Sequence, residues 1–183
     1  MGTVTHAART LPAGMWNADP VHSHVGFAVD YLVGTFQGSF SPVEASLEVD
    51  EKGAGTLRGS VRVENVRVQD ENLAAHLQTP DFFDAERAPE ITFVARDLRA
   101  TEADLFVSGE LTIKGETQPV ELKGTVGEAI ADPYGNARLG IELETTIDRT
   151  AFGLNWNNPL PSGEPALAND VTLTATLSLV KAA

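Results

Sequence analysis

The sequence contains no cysteine, which excludes disulfides, Cys-based zinc sites and thiol nucleophiles. Basic residues are scarce: 13 Lys and Arg stand against 26 Asp and Glu, a formal charge of −13. With no Lys/Arg cluster to offset it, such a surface repels phosphate backbones and anionic membranes, so nucleic acid is not an expected partner. The charge otherwise serves solubility. No apolar run approaches the roughly 20 residues of a membrane span, so integral membrane insertion is not expected. Residues 1–15 lack a signal-peptide core, because the run at 11–14 is short and Pro12 interrupts it. Gly2 is followed by Thr3, Val4, Thr5 and His6, so the myristoylation pattern fails at its Ser/Thr position. The expected location is cytoplasmic. No G-x-S-x-G, no G-x-G-x-x-G opening a helix and no phosphate-binding G-x-x-x-x-G-K-[ST] occurs. The many carboxylates alternate outward on strands, as a solvated face does, and enzyme activity is not expected.

What is present is a period of two. The 183 residues suit one domain, and 42% of them are hydrophobic, enough for a sizeable core. Residues 1–15 read as a flexible leader and 16–181 as the domain. From Trp16 on, apolar and polar residues alternate, as in Val25, Phe27 and Val29 or in Val43, Ala45, Leu47 and Val49. The same holds for Leu57 to Val63, Ile91 to Ala95, Leu105 to Ile113, Val120 to Val126, Leu139 to Ile147 and Val171 to Leu179. About eight strands with one wet face predict an all-β, antiparallel up-and-down barrel or a sandwich. Turn chemistry at Asp50-Glu51-Lys52-Gly53, Lys114-Gly115 and Asp132-Pro133-Tyr134-Gly135-Asn136 connects them. Residues 70–90 break the pattern: Leu73, Ala74 and Leu77 share a helical face, with Asp70 as candidate N-cap. A second long loop, residues 152–168, carries three prolines and reads as a lid.

An eight-stranded barrel is either filled by side chains or holds one small ligand. Inward positions are small on six strands: Ala45, Gly59, Ala95, Gly109, Gly124 and Ala175. Because protein interiors are close-packed, missing side-chain volume must be filled by something, which favours an apolar guest. Equally, Gly and Ala in strands mark bulges and bends. The pattern leaves both readings open.

His22 and His24 lie two apart on a strand and could share a zinc ion. A third ligand would have to come from His76, Asp19, Glu44 or Asp70, which the sequence does not bring close. Rim polarity is the better reading, and no metal is assigned. Arg149 precedes Phe152-Gly153-Leu154-Asn155-Trp156-Asn157-Asn158-Pro159. The segment reads either as a mouth, with Phe152, Leu154 and Trp156 on a tail and Arg149 or the Asn residues at a polar head, or as a carboxylate-paired Arg149 beside a Trp156 plug.

Residues 16–27, Trp-Asn-Ala-Asp-Pro-Val-His-Ser-His-Val-Gly-Phe, resemble the W-x-x-D-x-x-H-S-x-V-x-F opening of the YceI-like family. Four further segments resemble it in order: His76-Leu77 to Asp81-Phe82-Phe83-Asp84; Pro89-Glu90-Ile91-Thr92-Phe93; Leu111-Thr112-Ile113-Lys114-Gly115 with Pro119-Val120; and Arg149 through Phe152-Gly153-Leu154-Asn155-Trp156. Together they span Trp16 to Val180. The resemblance implies an extended, lipocalin-like barrel of eight antiparallel strands with helical material near one end, around residues 70–85. It also implies a buried channel for polyisoprenoids or similar amphiphiles, quinones included. His22 matches the family histidine, while His24 falls at a variable position. Many family members carry a periplasmic signal, which residues 1–15 do not provide.

The resulting expectation is non-catalytic binding, transport or storage of a long apolar amphiphile, a polyisoprenoid or isoprenoid quinone, with no covalent cofactor. The tail is expected along Phe27, Val29, Phe40, Phe93, Leu111, Ile113, Phe152, Leu154 and Trp156, with Phe82 and Phe83 closing one end. His22 and Asn155 are expected at a polar rim beside Arg149. Two alternatives remain: a stress-related or metal-dependent enzyme acting on small amphiphiles, and a solid barrel used for protein contact. Outward Phe106 and Val94 point to a homodimer.

Overall fold

The computed structural model describes residues 7–183. The first six residues of the expected leader, with the Gly2 pattern, lie outside them. In chain order the described elements are β1 (Ala8–Arg9), β2 (Gly14–Ala18), β3 (His24–Tyr31), β4 (Gly34–Phe40), β5 (Glu44–Val49), β6 (Gly55–Arg62), a 3-10 turn (Val63–Asn65) and β7 (Val66–Arg67). Then come α1 (Glu71–Leu77), β8 (Glu90–Thr101), β9 (Asp104–Ile113), β10 (Glu116–Val126), β11 (Ile130–Ala131), β12 (Ala137–Asp148), a second 3-10 turn (Arg149–Phe152) and β13 (Leu167–Lys181).

These strands form a closed, eight-membered antiparallel barrel in the order β12-β10-β9-β8-β6-β5-β2-β13, with β13 pairing β12 to shut the ring. Three members are longer than one strand. β2 and β3 run one after the other along the same edge of β13, through Leu179↔Ala18 and then Thr176↔His24 to Leu167↔Tyr31. β4 follows β3 and β5 follows β2 on the next path, and β7 extends β6 on the third. The barrel is therefore extended at the β3–β4–β7 end. Each of the eight alternating segments of the sequence falls on one of these paths, and the all-β, lipocalin-like expectation holds. β4, Gly-Thr-Phe-Gln-Gly-Ser-Phe, escapes the periodicity because only its two phenylalanines are apolar.

The break between β2 and β3 is held by polar side chains. The Asp19 carboxylate accepts from the Val21 backbone (2.9 Å), from His22 Nδ1 (2.7 Å) and from Arg138 on β12 (3.0 Å). Ser23, buried, accepts from the Ser178 backbone N–H at 3.0 Å. Arg138 also donates to Asp132 at 2.8 Å, which ties the β11–β12 turn to the same knot. Two hydrogen bonds, from His22 first and Arg138 second, hold the Asp19 carboxyl well below the usual carboxylate range. Arg138 likewise pulls Asp132 down to about 2. The histidine expected at the rim is thus part of a structural knot, and the motif Asp-x-x-His-Ser sets a bend in the wall.

One end of the barrel is solid. Trp16, Leu47, Leu105, Leu139, Ile141 and Leu179 are almost wholly buried there. The expected flexible leader is built into this end from Ala8 on. β1 pairs β8 through Ala8↔Thr101, Leu11 is buried, and the Trp16 indole donates to the Pro12 carbonyl (3.1 Å). Leu11 is apolar but isolated in sequence, so no period marks it. The plug expected of Trp156 is Trp16.

One half of the barrel seam is thin. β10 pairs β12 only from Lys123↔Glu144 to Val126↔Ile141. Beyond that, Thr145 Oγ1 donates to the Glu121 carbonyl (2.7 Å) and Gln118 Nε2 to that of Ala151 (3.1 Å). On the outer face Phe106 lies under Arg99 and Lys123, each 5.5 Å from its ring centre.

Two outcomes follow for stability. Trp16→Ala is expected to lower the unfolding free energy in urea titrations by about 3–5 kcal/mol, the usual cost of emptying a buried Trp site. Arg138→Ala is expected to lower the melting midpoint at neutral pH. Asp19 and Asp132 titrate lower in the folded chain than unfolded, so their contribution is present above pH about 4 and lost as pH falls toward about 2. The midpoint gap between the wild type and this variant therefore narrows across that window in pH-dependent melts.

Candidate functional site

The other end is hollow. A cavity of about 360 Å³ lies between β3, β4, β12 and β13, under α1 and the 152–168 loop. That volume lies within the usual range for small-molecule sites. Apart from Tyr31, His76 and Arg149, its wall consists of Val, Leu, Ile, Phe, Trp and one Gly residue. A second, smaller cavity of about 120 Å³ extends toward the solid end. The two share Val25, Val61, Ile91, Leu111 and Leu173 in their walls.

The small inward residues divide. Ala45, Gly59 and Ala175 line the second cavity and supply its space; a Cβ on Gly59 would meet only the Glu44 carbonyl, at 3.8 Å. At Gly109 the bulge reading holds instead, and at Gly124 a neighbouring backbone leaves no room for a side chain. A Cβ at Gly124 would collide with the backbone of Glu142, and one at Gly109 with Val94, Ala95 and Phe93 where the β8–β9 register shifts. Ala95 is fully packed.

Two aromatic groups shape the large cavity. Along the wall, Phe27 touches Phe36 (5.9 Å between ring centres) and Phe40 (5.8 Å), and Phe40 meets Phe83 edge-on at 5.7 Å. Phe27 can lie there because Gly38 has no side chain in its way. In the roof, His76, Phe82 and Trp156 pack at 5.0–5.2 Å from one another, joining α1 and its following loop to the 152–168 loop. His76 Nε2 lies 3.0 Å from Asp81. Asp70 caps α1 through the Asn72 and Leu73 N–H groups, as its position in the sequence suggests. Leu73, His76 and Leu77 then face the cavity from one side of the helix.

Two cations hold the roof. Arg149, 4% exposed, donates to the carbonyls of Ala168 (2.8 Å), Leu154 (2.6 Å), Trp156 (2.9 Å) and Leu167 (3.4 Å). No carboxylate pairs with it among the described residues, so the expected salt bridge gives way to a backbone staple. Burial pushes its guanidinium below the ordinary arginine value, with Asp148 opposing weakly. Asn157 completes the staple. Its amide donates to Leu167 O (2.8 Å), and its carbonyl accepts from Ala166 and Leu167 N–H. Lys114, in the β9–β10 turn, donates to Pro80 O and to Gly153 O, so one ammonium joins both roof loops.

Of the residues expected on the ligand path, Phe27, Val29, Phe40, Phe82, Phe83, Leu111, Ile113, Arg149, Leu154 and Trp156 line the large cavity. Phe93 lines the second. Phe152 lines neither; it is buried in the core at the 3-10 turn. Asn155 is exposed, and its neighbour Asn157 does the polar work in the loop. His22 lines neither cavity. His76, Tyr31, Leu73 and Leu167 line the large cavity without having been expected there. For His76 a signal existed, since it lies three residues after Leu73 on the same helical face. Among the described residues, no three His, Asp or Glu side chains gather as a metal site would require. No helix among them is long and apolar enough to cross a membrane.

Residues 16–179 match the YceI-like domain model. The chain belongs to the YceI-like family. A UPF0312 protein of Staphylococcus aureus is 32% identical over 165 residues, 86% of this chain and 92% of its own length. One from Staphylococcus epidermidis is 28% identical over 165 residues, covering 88% and 94%. Among solved structures, Burkholderia cenocepacia BcnA superposes with a TM-score of 0.75 at 24% identity, over 90% of this chain and 99% of its own. A polyisoprenoid binding domain from Saccharophagus degradans, implicated in plant cell wall breakdown, gives 0.70 at 12% identity, over 91% and 98%. At these identities the two structures establish the YceI-like fold alone.

Replacing the staple tests its role in this YceI-like roof. Arg149→Lys keeps the charge but cannot reach four carbonyls in one plane. With each hydrogen bond to a charged group worth roughly 1.5–3 kcal/mol, the variant is expected to melt lower. It is also expected to be cut faster by protease within residues 155–165.

Proposed function

We propose that this barrel binds a long apolar amphiphile, a polyisoprenoid or isoprenoid quinone, and carries or stores it without catalysis. The observation that carries this reading is the pair of adjacent, mainly apolar cavities that share five wall residues and together involve every barrel path. At about 0.8 kcal/mol per buried carbon, each five-carbon unit adds roughly 4 kcal/mol of gross driving force. The small side chains of Ala45, Gly59 and Ala175 leave room for the methyl groups of an isoprenoid chain in the second cavity. The large cavity, where His76 lies, is lined by no Ser or Thr among the described residues. The likeness in fold to the polyisoprenoid binding domain of Saccharophagus degradans supports the same cargo class. The tail runs past Leu111 into the second cavity, and the polar end stays near His76 and Arg149.

Solvent extraction of detergent-free protein followed by mass spectrometry is expected to yield an isoprenoid lipid. Repeated extraction without one, together with no binding of added isoprenoid quinone, overturns the reading. Gly59→Leu fills the second cavity and displaces at least two carbons of tail. It should weaken a long-chain quinone about tenfold or more and leave a short-chain analogue nearly unchanged. Equal losses for both would place the tail elsewhere.

A further inference from the structure

The hairpin joining β3 to β4 is built against the usual rules. Tyr31 pairs Gly34, so the loop is the two residues Leu32 and Val33. A two-residue loop with positive φ at its first position normally has glycine there. Here Leu32 holds φ 53°, a left-handed conformation that a leucine adopts only at a cost. Side-chain burial does not repay it. Leu32 is 57% exposed and Val33 is fully exposed. Turn positions in water favour Asn, Asp and Gly, so an apolar pair at this site is unfavourable in water on two separate counts.

The tip has a particular place. Tyr31, at its base, is itself part-exposed and lines the large cavity. The Leu32 N–H donates to the Ala166 carbonyl at 3.0 Å, one step beyond the Tyr31–Leu167 pair, which ties the tip to the end of the roof loop. It is an apolar point at the hollow end of the barrel.

We propose that Leu32 and Val33 dock the barrel on an uncharged or zwitterionic lipid bilayer, dipping into its surface while the cavity mouth faces the lipid. Two side chains are far too small for a specific protein interface, which needs about 800 Å² per partner. Buried in a bilayer they gain at most about 1.5–3 kcal/mol each, which gives weak, reversible seating. The charge around them fixes the kind of bilayer. Asp30, Asp148 and Asp170 are exposed at the same end of their strands, and the chain carries −13 overall, so anionic lipid repels this face. The purpose of docking rests on the proposed cargo, which dissolves in bilayers; the docking itself is measured without cargo.

The test is flotation of the full chain with phosphatidylcholine vesicles that contain no isoprenoid. Leu32→Gly combined with Val33→Asn supplies a favourable loop for the same hairpin, so its melting midpoint should equal or exceed that of the wild type. Its vesicle binding should fall about tenfold or more. Adding phosphatidylglycerol to the vesicles should weaken the wild type. Tyr134→Ser, which removes an exposed aromatic from the opposite end, should float as the wild type does. Transfer of an isoprenoid quinone from vesicle to protein should slow in the double variant, with its binding from solution unchanged. A wild type that does not float, or a double variant that floats equally well, overturns docking. So does a tip that mediates self-association with no vesicle binding. Loss of quinone binding from solution with flotation intact overturns the cargo reading alone and supports docking by the tip.

Discussion

Every feature of this molecule depends on the closure of the ring by β13. Along one edge this 15-residue strand pairs β12, and along the other it pairs first β2 and then β3. Backbone pairing closes the ring, thin only at the β10–β12 seam, and free edge remains mainly on β4 and β7 at the extended end. Closure also fixes the interior volume, and the side chains then determine how much of it is occupied. At the β2 end, Trp16 and five large aliphatic residues fill it. At the β3 end, beyond the Asp19–His22–Arg138 knot, space remains. A hollow half and a solid half in one barrel are a consequence of one strand serving two successive neighbours.

Much of this was legible in the sequence. Alternation located every barrel path, because a half-buried strand must put apolar groups at every second position. The Asp70 cap and the three turns were legible for the same reason: their chemistry is local. What escaped was chemistry that depends on partners distant in the chain. Leu11 reads as an isolated residue until β1 and the Trp16 indole bring it to the core. Arg149 could meet a carboxylate or carbonyls, and only the fold places four carbonyls around it. Small inward residues on six strands fitted a cavity and bends equally well, and Gly109 and Gly124 are small because another backbone approaches them.

The family motifs also change meaning once they are seen in place. Asp19, His22 and Ser23 hold a bend, Lys114 and Arg149 hold the roof, and Phe82 and Trp156 with His76 form it. Few of these residues offer a polar atom to a guest. In this chain such residues hold the shape of the barrel, while the cavity walls are mainly aliphatic and aromatic.

Lys114 has a mechanical consequence. Its ammonium bonds the loop after α1 through Pro80 and the loop after β12 through Gly153, while its own backbone sits in the left-handed half of a tight hairpin turn at φ 53°. The two loops are thus latched to one rigid post, and the His76–Phe82–Trp156 cluster glues them to each other. Neither can swing out alone without breaking the aromatic contacts and one arm of the latch. Access to the interior becomes a single cooperative event, all or none, in place of two independently fraying flaps.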